Sequence, residues 1–222
     1  MSDAIKIDIW SDIACPWCYI GKRKLENGIA SYGEEDGALP VEIEYHSFEL
    51  SPDTPVDFHG THEDFLESKG FPREQIGPML ERVTGIAASV GLDYDYDHLQ
   101  HANTVLAHQL IHYAKARGLQ LEAKERLLKA YFVEGRQVGT IEGLADLAVE
   151  IGLDRDDVVR SLSSDEYLAA VRADQQTAVA YGIQGVPFFV IEGKYGVSGA
   201  QDASTFAQVL RQVTDEKTEV GA

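Results

Sequence analysis

The chain has 222 residues, 44% hydrophobic and 25% charged, the profile of a globular protein that buries a core without disulfide staples, which sets aside disordered and fibrous classes. With 37 acidic against 19 basic side chains its net charge is -18, a field that repels a phosphate backbone, so nucleic acid is not an expected partner. The N-terminus alternates apolar and charged residues instead of forming a secretory signal, and no run approaches the roughly 18 apolar residues of a membrane helix, so a cytoplasmic location away from membranes is expected.

Ile5, Ile7 and Ile9 recur at strand period and lead through Ser11 to Ala14 into Cys15-Pro16-Trp17-Cys18. From Cys18 onward, Tyr19, Ile20, Leu25, Ile29 and Tyr32 fall at helical spacing as far as Gly33. Val41, Ile43 and Tyr45 then alternate with Glu42, Glu44 and His46, which completes a βαβ unit. After Pro52 and Pro55 the pattern turns helical, with helices expected over residues 61–69, 72–90, 103–117, 121–133, 141–151 and 155–162, several of them closed by glycine. A longer helix is expected over 165–181 and a strand over 186–191. A turn at Gly193-Lys194 leads to a short strand over 195–198, and a last helix is expected over 203–213.

This order describes an α/β sheet protein with a large all-helical insertion. The expected partition is an N-terminal βαβ part over 1–57, the helical insertion over 58–164 and a C-terminal αββα part over 165–222. No internal repeat or low-complexity linker interrupts it, and the small acidic clusters along the chain read as solvated surface.

Both cysteines of the chain stand at the ends of Cys15-Pro16-Trp17-Cys18, directly after a strand and at the start of a helix. A thiolate there faces unsatisfied backbone N–H groups and the positive end of the helix dipole, so the Cys15 thiol is expected to ionise easily and attack. Cys18, one turn inward, would resolve the mixed disulfide. Pro16 suits a first helical turn, and Trp17 offers an apolar face without a proton donor. Competing readings are a zinc half-site, a structural disulfide or two unrelated buried cysteines. A structural zinc site needs four ligands and no second cysteine pair exists, so no metal and no bound cofactor is expected beyond the redox-active pair, which glutathione or another thiol would recycle. His108 and His112 stand at i,i+4 spacing with His98 and His101 upstream; packing or surface roles are expected for them, because no Glu follows His108 as in a helical zinc-protease motif. Tyr94, Tyr96, Tyr113, Tyr131 and Phe132 are candidates for a substrate groove or for the core. At the late strand, Gly185-Val186-Pro187 puts a proline where a ladder donor is not needed.

Three motifs together resemble the DsbA-like branch of the thioredoxin superfamily, and more closely the FrnE-type predicted dithiol-disulfide isomerases. They are Trp10-Ser11-Asp12-Ile13-Ala14-Cys15-Pro16-Trp17-Cys18-Tyr19-Ile20-Gly21, Asn103-Thr104 with Ala107-His108, and Gly182-Ile183 with Gly185-Val186-Pro187-Phe188-Phe189. The resemblance spans nearly the whole chain and implies a thioredoxin-like fold. It also implies a cis peptide before Pro187, with Val186 and Pro187 presenting backbone groups to a protein thiol or small thiol beside Cys15. Asn103 and His108, on one helix near its start, would line the cleft. The exported DsbA enzymes carry a histidine where Trp17 stands, so a cytosolic reductase or isomerase is the expectation. Related hydroxychromene-carboxylate isomerases share the fold and insertion but carry serine in place of the redox pair. A chaperone whose thiols only sense oxidation is a third reading.

Overall fold

The structure, a computed structural model, describes residues 4–55 and 60–221. Four strands, β1 (Ile5–Ser11), β2 (Val41–Ser47), β3 (Phe188–Ile191) and β4 (Tyr195–Ser198), form one sheet in the order β2-β1-β3-β4. β1 runs parallel to β2, with Ile5 opposite Val41 and Ser11 opposite Ser47. A parallel pair needs a crossover, and α1 (Pro16–Gly33) supplies it. β3 lies antiparallel on the other side of β1, with Trp10 opposite Phe188, and β4 closes the hairpin. β1 is therefore central, and the turn that follows it opens at the middle of one end of the sheet.

Between β2 and β3 the chain forms α2 (His62–Ser68), α3 (Arg73–Ala88), α4 (Val105–Lys115), α5 (Gln120–Phe132), α6 (Ile141–Glu150), α7 (Arg155–Ser163) and α8 (Leu168–Ala180). α9 (Ala203–Gly221) ends the chain. Period-two alternation divides the β1 side chains between two faces. Ile5, Ile7 and Ile9 pack with Leu25 and Tyr32 of α1 and Phe206 and Leu210 of α9. The helices cross so closely that a Cβ at Gly28 would meet the Ala203 carbonyl oxygen at 2.7 Å, so only glycine fits there. The other large core lies among α3 to α7, and it takes in Ile13, Tyr19 and Ile20 from the turn after β1 and the start of α1. The cysteine turn is thus gripped by both bodies of packing.

Several expected boundaries shift. β3 begins at Phe188 instead of 186, since Pro187 has no N–H for the ladder. α8 begins at Leu168 instead of 165, because Asp165 adopts a left-handed φ of 52°. α9 continues past 213 to Gly221, tied down by Lys194 to Glu216 at 2.7 Å and by Lys217 to the Ala4 carbonyl at 2.9 Å. The expected junction at 57–58 lies outside the described residues. Among the described residues no helix is long and apolar enough to cross a membrane.

Candidate redox site

Cys15 is the N-cap of α1, with an extended backbone, and Pro16 occupies the first helical position, where its missing N–H costs nothing. The Cys18 N–H donates to the Cys15 carbonyl at 3.0 Å, so the first turn holds the two residues together. Both cysteines are free thiols, and each is only 3% exposed. The Cys15 thiol donates to the Val186 carbonyl at 3.4 Å. The Val186-Pro187 peptide is cis. Pro187 packs so tightly on α1 that a Cβ at Gly21 would lie 2.9 Å from its Cγ. Trp17 projects outward at 39% exposure, and the Tyr94 hydroxyl donates to the Pro16 carbonyl at 2.7 Å.

Electrostatics reverse one expectation. The Cys15 thiol is pushed up, first by its hydrogen bond to Cys18, then by burial and by the negative charges of Cys18 and Asp12. Burial also works against ionising Cys18. There it is outweighed by the hydrogen bond from Cys15, the Lys124 ammonium, the Ser11 hydroxyl and the Asp12 backbone, and the Cys18 thiol is lowered. The two thiols titrate as a coupled pair, with Cys15 shifted up and Cys18 shifted down. The helix terminus favours ionisation, as the sequence suggests, but the hydrogen bond to Cys18 and burial, with the charges of Cys18 and Asp12 added, hold the Cys15 thiol up.

Asp12 and Lys124 are the two residues that sequence reasoning left unassigned. Asp12 accepts from His108 Nε2 at 3.2 Å and from the Leu50 N–H at 2.8 Å. Burial opposes its ionisation, but His108, Leu50 and Thr104 outweigh it and hold the carboxyl below its usual range. Lys124 is 1% exposed, and burial pushes it down to about 8 against the pull of Cys18, Asp12 and Cys15. Its Nζ lies 5.3 Å from the centre of the Tyr45 ring. Neighbours in α5 hold it there: Gln120 exchanges hydrogen bonds with the Tyr45 backbone at 3.0 and 2.8 Å, and Glu125 binds the Tyr19 hydroxyl at 2.7 Å and Lys22 at 2.6 Å. A lysine on the same helical face as Leu127, Leu128 and Tyr131 was the available signal.

His108 reaches the site, through Asp12, from inside α4. Asn103 stands before α4 instead of within it. Its amide donates to the Thr54 carbonyl at 2.9 Å and its oxygen accepts the Val105 N–H at 2.9 Å, so it braces the wall of the cleft without offering its polar atoms to it. The four histidines do not converge. His98 pairs with Asp95, His101 with Tyr131, and His112 with Ser47 and Asp174. Asp8, Glu44 and His46 cluster within 4.8 Å of one another, and the Lys6 ammonium sits among them at 3.0 Å from Asp8 and 3.6 Å from Glu44.

Beside Pro16 and Trp17 opens a cavity of about 440 Å³, walled by Leu50 and by Phe65, Leu66, Met79 and Val83 of α2 and α3. Of the aromatic candidates only Tyr96 lines it, while Tyr113, Tyr131 and Phe132 belong to the core, and Tyr94 stacks on Phe132 at 4.6 Å.

A DsbA-like thioredoxin domain model matches residues 6–211. The uncharacterized protein YwbO of Bacillus subtilis is 28% identical over 96% of this chain and 99% of its own. A probable DsbA oxidoreductase from Streptomyces coelicolor, of known structure, is 39% identical over 94% of this chain and 89% of its own, with a TM-score of 0.85. The structure of a 2-hydroxychromene-2-carboxylate isomerase covers 98% of this chain and 100% of its own at a TM-score of 0.71, and at 16% identity it shares the fold alone.

Proposed function

The chain belongs to the DsbA-like thioredoxin-domain family, and we propose that it is a thiol-disulfide oxidoreductase acting on protein or small thiols through Cys15 and Cys18. What carries the reading is a pair of free thiols at a helix N-terminus, the outer one hydrogen-bonded to the Val186 carbonyl.

In the reducing direction the Cys15 proton passes to Cys18, and the Cys15 thiolate attacks one sulfur of a substrate disulfide. A mixed disulfide forms, and the other substrate sulfur leaves with the bonding electrons and takes up a proton. Cys18, again a thiolate beside Lys124, attacks the Cys15 sulfur. The protein disulfide closes, the second substrate thiol departs, and two electrons have moved to the substrate. Glutathione or another thiol returns the pair to the reduced state, and no metal or organic cofactor takes part. Trp17, in the place of a proton donor, favours a reductase or isomerase over a strong oxidant.

Cys15→Ser should abolish reduction of a protein disulfide, and Cys18→Ser should accumulate the mixed disulfide, visible by mass spectrometry. Normal turnover by Cys15→Ser overturns the assignment. The cavity beside Trp17 favours one second reading, a glutathione-dependent isomerisation of a small aromatic compound. That activity would survive Cys18→Ser and require added glutathione.

A further inference from the structure

The face of β1 opposite Ile5, Ile7 and Ile9 carries Lys6, Asp8 and Trp10, and the ionic groups gathered there take no part in the exchange chemistry. His46 of β2 stands between two carboxylates: its Nε2 is 2.8 Å from Asp8, and its Nδ1 is 2.9 Å from Asp174 of α8. A neutral imidazole has one N–H and one lone pair, so it can donate to only one of them. Contact with both requires the imidazolium. Burial works against that charge, but the bonds to Asp174 and Asp8 outweigh it and raise His46 above its ordinary value. Burial opposes the Asp174 charge as well, but His112, His46 and the Ser47 N–H outweigh it and hold the carboxyl far below its usual range. The remaining charged neighbours are themselves paired. Lys6 lies 3.0 Å from Asp8, Glu44 of β2 lies 3.7 Å from His46 Nε2 and binds Lys115 of α4, and His112 of α4 reaches Asp174 at 3.0 Å.

Asp174 and His46 connect this cluster to the redox site through Trp10. The Asp174 carboxylate accepts the Ser47 N–H at 2.7 Å, and its carbonyl accepts the Trp10 indole N–H at 3.0 Å. His46 stacks on the indole with ring centres 4.5 Å apart and planes 18° apart, so the imidazolium lies over a π face that attracts cations. Trp10 is 1% exposed and stands opposite Phe188 in the sheet. With Ala178, Ile183 and Val190 it forms a small core against which Val186 packs. Val186 is the residue whose carbonyl receives the Cys15 thiol. One charged ring therefore clamps α8, which leads into the cis-proline loop, to the strand that leads into the cysteines.

We infer that the His46 imidazolium, clasped by Asp8 and Asp174, is a positioning group that keeps Trp10 and the Val186-Pro187 loop against Cys15. The inference rests on the proposed oxidoreductase reading and deepens it. When His46 loses its proton, one carboxylate faces a ring lone pair in place of an N–H. The cation over Trp10 disappears at the same time, and the loop is held less closely.

The test follows the reduced full-length chain through the alkaline titration of His46, read from its imidazole NMR signals, which are assigned by their absence in His46→Gln. At each pH the rate of exchange with a disulfide-bonded peptide is divided by the rate at which iodoacetamide alkylates Cys15. Both rates need the Cys15 thiolate, so the ratio cancels its ionisation and reports how well the loop places the substrate. The ratio should fall about fivefold as His46 deprotonates, the scale of one lost hydrogen bond. His46→Arg keeps a cation with several donors throughout and should hold the ratio high and flat, whereas His46→Gln should hold it low and flat. A wild-type ratio that does not change across the His46 titration overturns the inference without recourse to any variant, as does a His46 ring already neutral at pH 7. The wild-type fall reappearing in His46→Arg overturns it too. If no peptide disulfide exchanges at any pH, the redox reading falls; the positioning role then stands if the Val186 methyl signals follow the His46 titration, and falls with it if they do not.

Discussion

The thiol of Cys15 donates to the carbonyl oxygen of Val186 at 3.4 Å, although 171 residues separate them. The contact follows from the sheet. Because β1 and β3 are antiparallel with Trp10 opposite Phe188, the turn leaving β1 and the loop entering β3 meet at the same end. A substrate strand laid against that loop would find backbone groups beside the sulfur it must exchange with.

Gly21 keeps this meeting place open. A side chain there would press on Pro187, with Cβ only 2.9 Å from its Cγ and 3.5 Å from the Ala200 Cβ. Gly21→Val is expected to cost about 1–3 kcal/mol, typical of overpacking, and to slow disulfide exchange by displacing the loop from Cys15. Urea unfolding and a turnover assay check both effects, and a variant as stable and as active as wild type would refute the role given to this contact.

Lys124 supplies positive charge beside Cys18 from a fully buried position. Lys124→Met should move the first thiolate titration, followed by ultraviolet absorbance, to higher pH. The reduced form loses its counter-charge, so the equilibrium with a glutathione buffer should shift several-fold towards the protein disulfide. An unaltered titration and equilibrium would show that the ammonium does not act on the thiols.

Asp12 acts in the opposite sense on Cys15. Asp12→Asn keeps the shape but removes a negative charge, so iodoacetamide should alkylate Cys15 faster. The buried charged hydrogen bond to His108 is weakened at a cost of about 1–3 kcal/mol. Slower alkylation in a folded variant contradicts this account of the pair.

Glu125 makes part of the stability acid-sensitive. Burial opposes its ionisation, but Arg23, Lys22 and Tyr19 outweigh it and lower the carboxyl from 4.5 to about 2. A depressed carboxyl stabilises the fold fully above its unfolded value, and the contribution fades as pH falls from about 4.5 towards about 2. Glu125→Gln should flatten the stability profile in that window and cost about 1 kcal/mol at pH 7, since the group is only half-buried. Denaturant melts between pH 7 and pH 2 measure the slope, and a slope unchanged by the substitution would exclude Glu125 as its source.

The sequence by itself determined what short-range interactions determine. Alternating Ile5, Ile7 and Ile9 specify a half-buried strand, the helical spacing of Tyr19, Ile20, Leu25 and Tyr32 specifies α1, and adjacency alone puts Cys15 and Cys18 on its first turn. The long helical run between two pieces of sheet was equally readable, because each helix carries its own period. The tertiary structure decided the chemistry of the pair. The shifts of the two thiols depend on their mutual hydrogen bond, on burial that exists only once α5 has closed over the turn, and on Asp12 and Lys124, the latter more than a hundred residues further along the chain. Pattern reports which side of an element faces inward. Desolvation and charge at a buried sulfur depend on every neighbour in three dimensions, so they appear only when distant segments have packed.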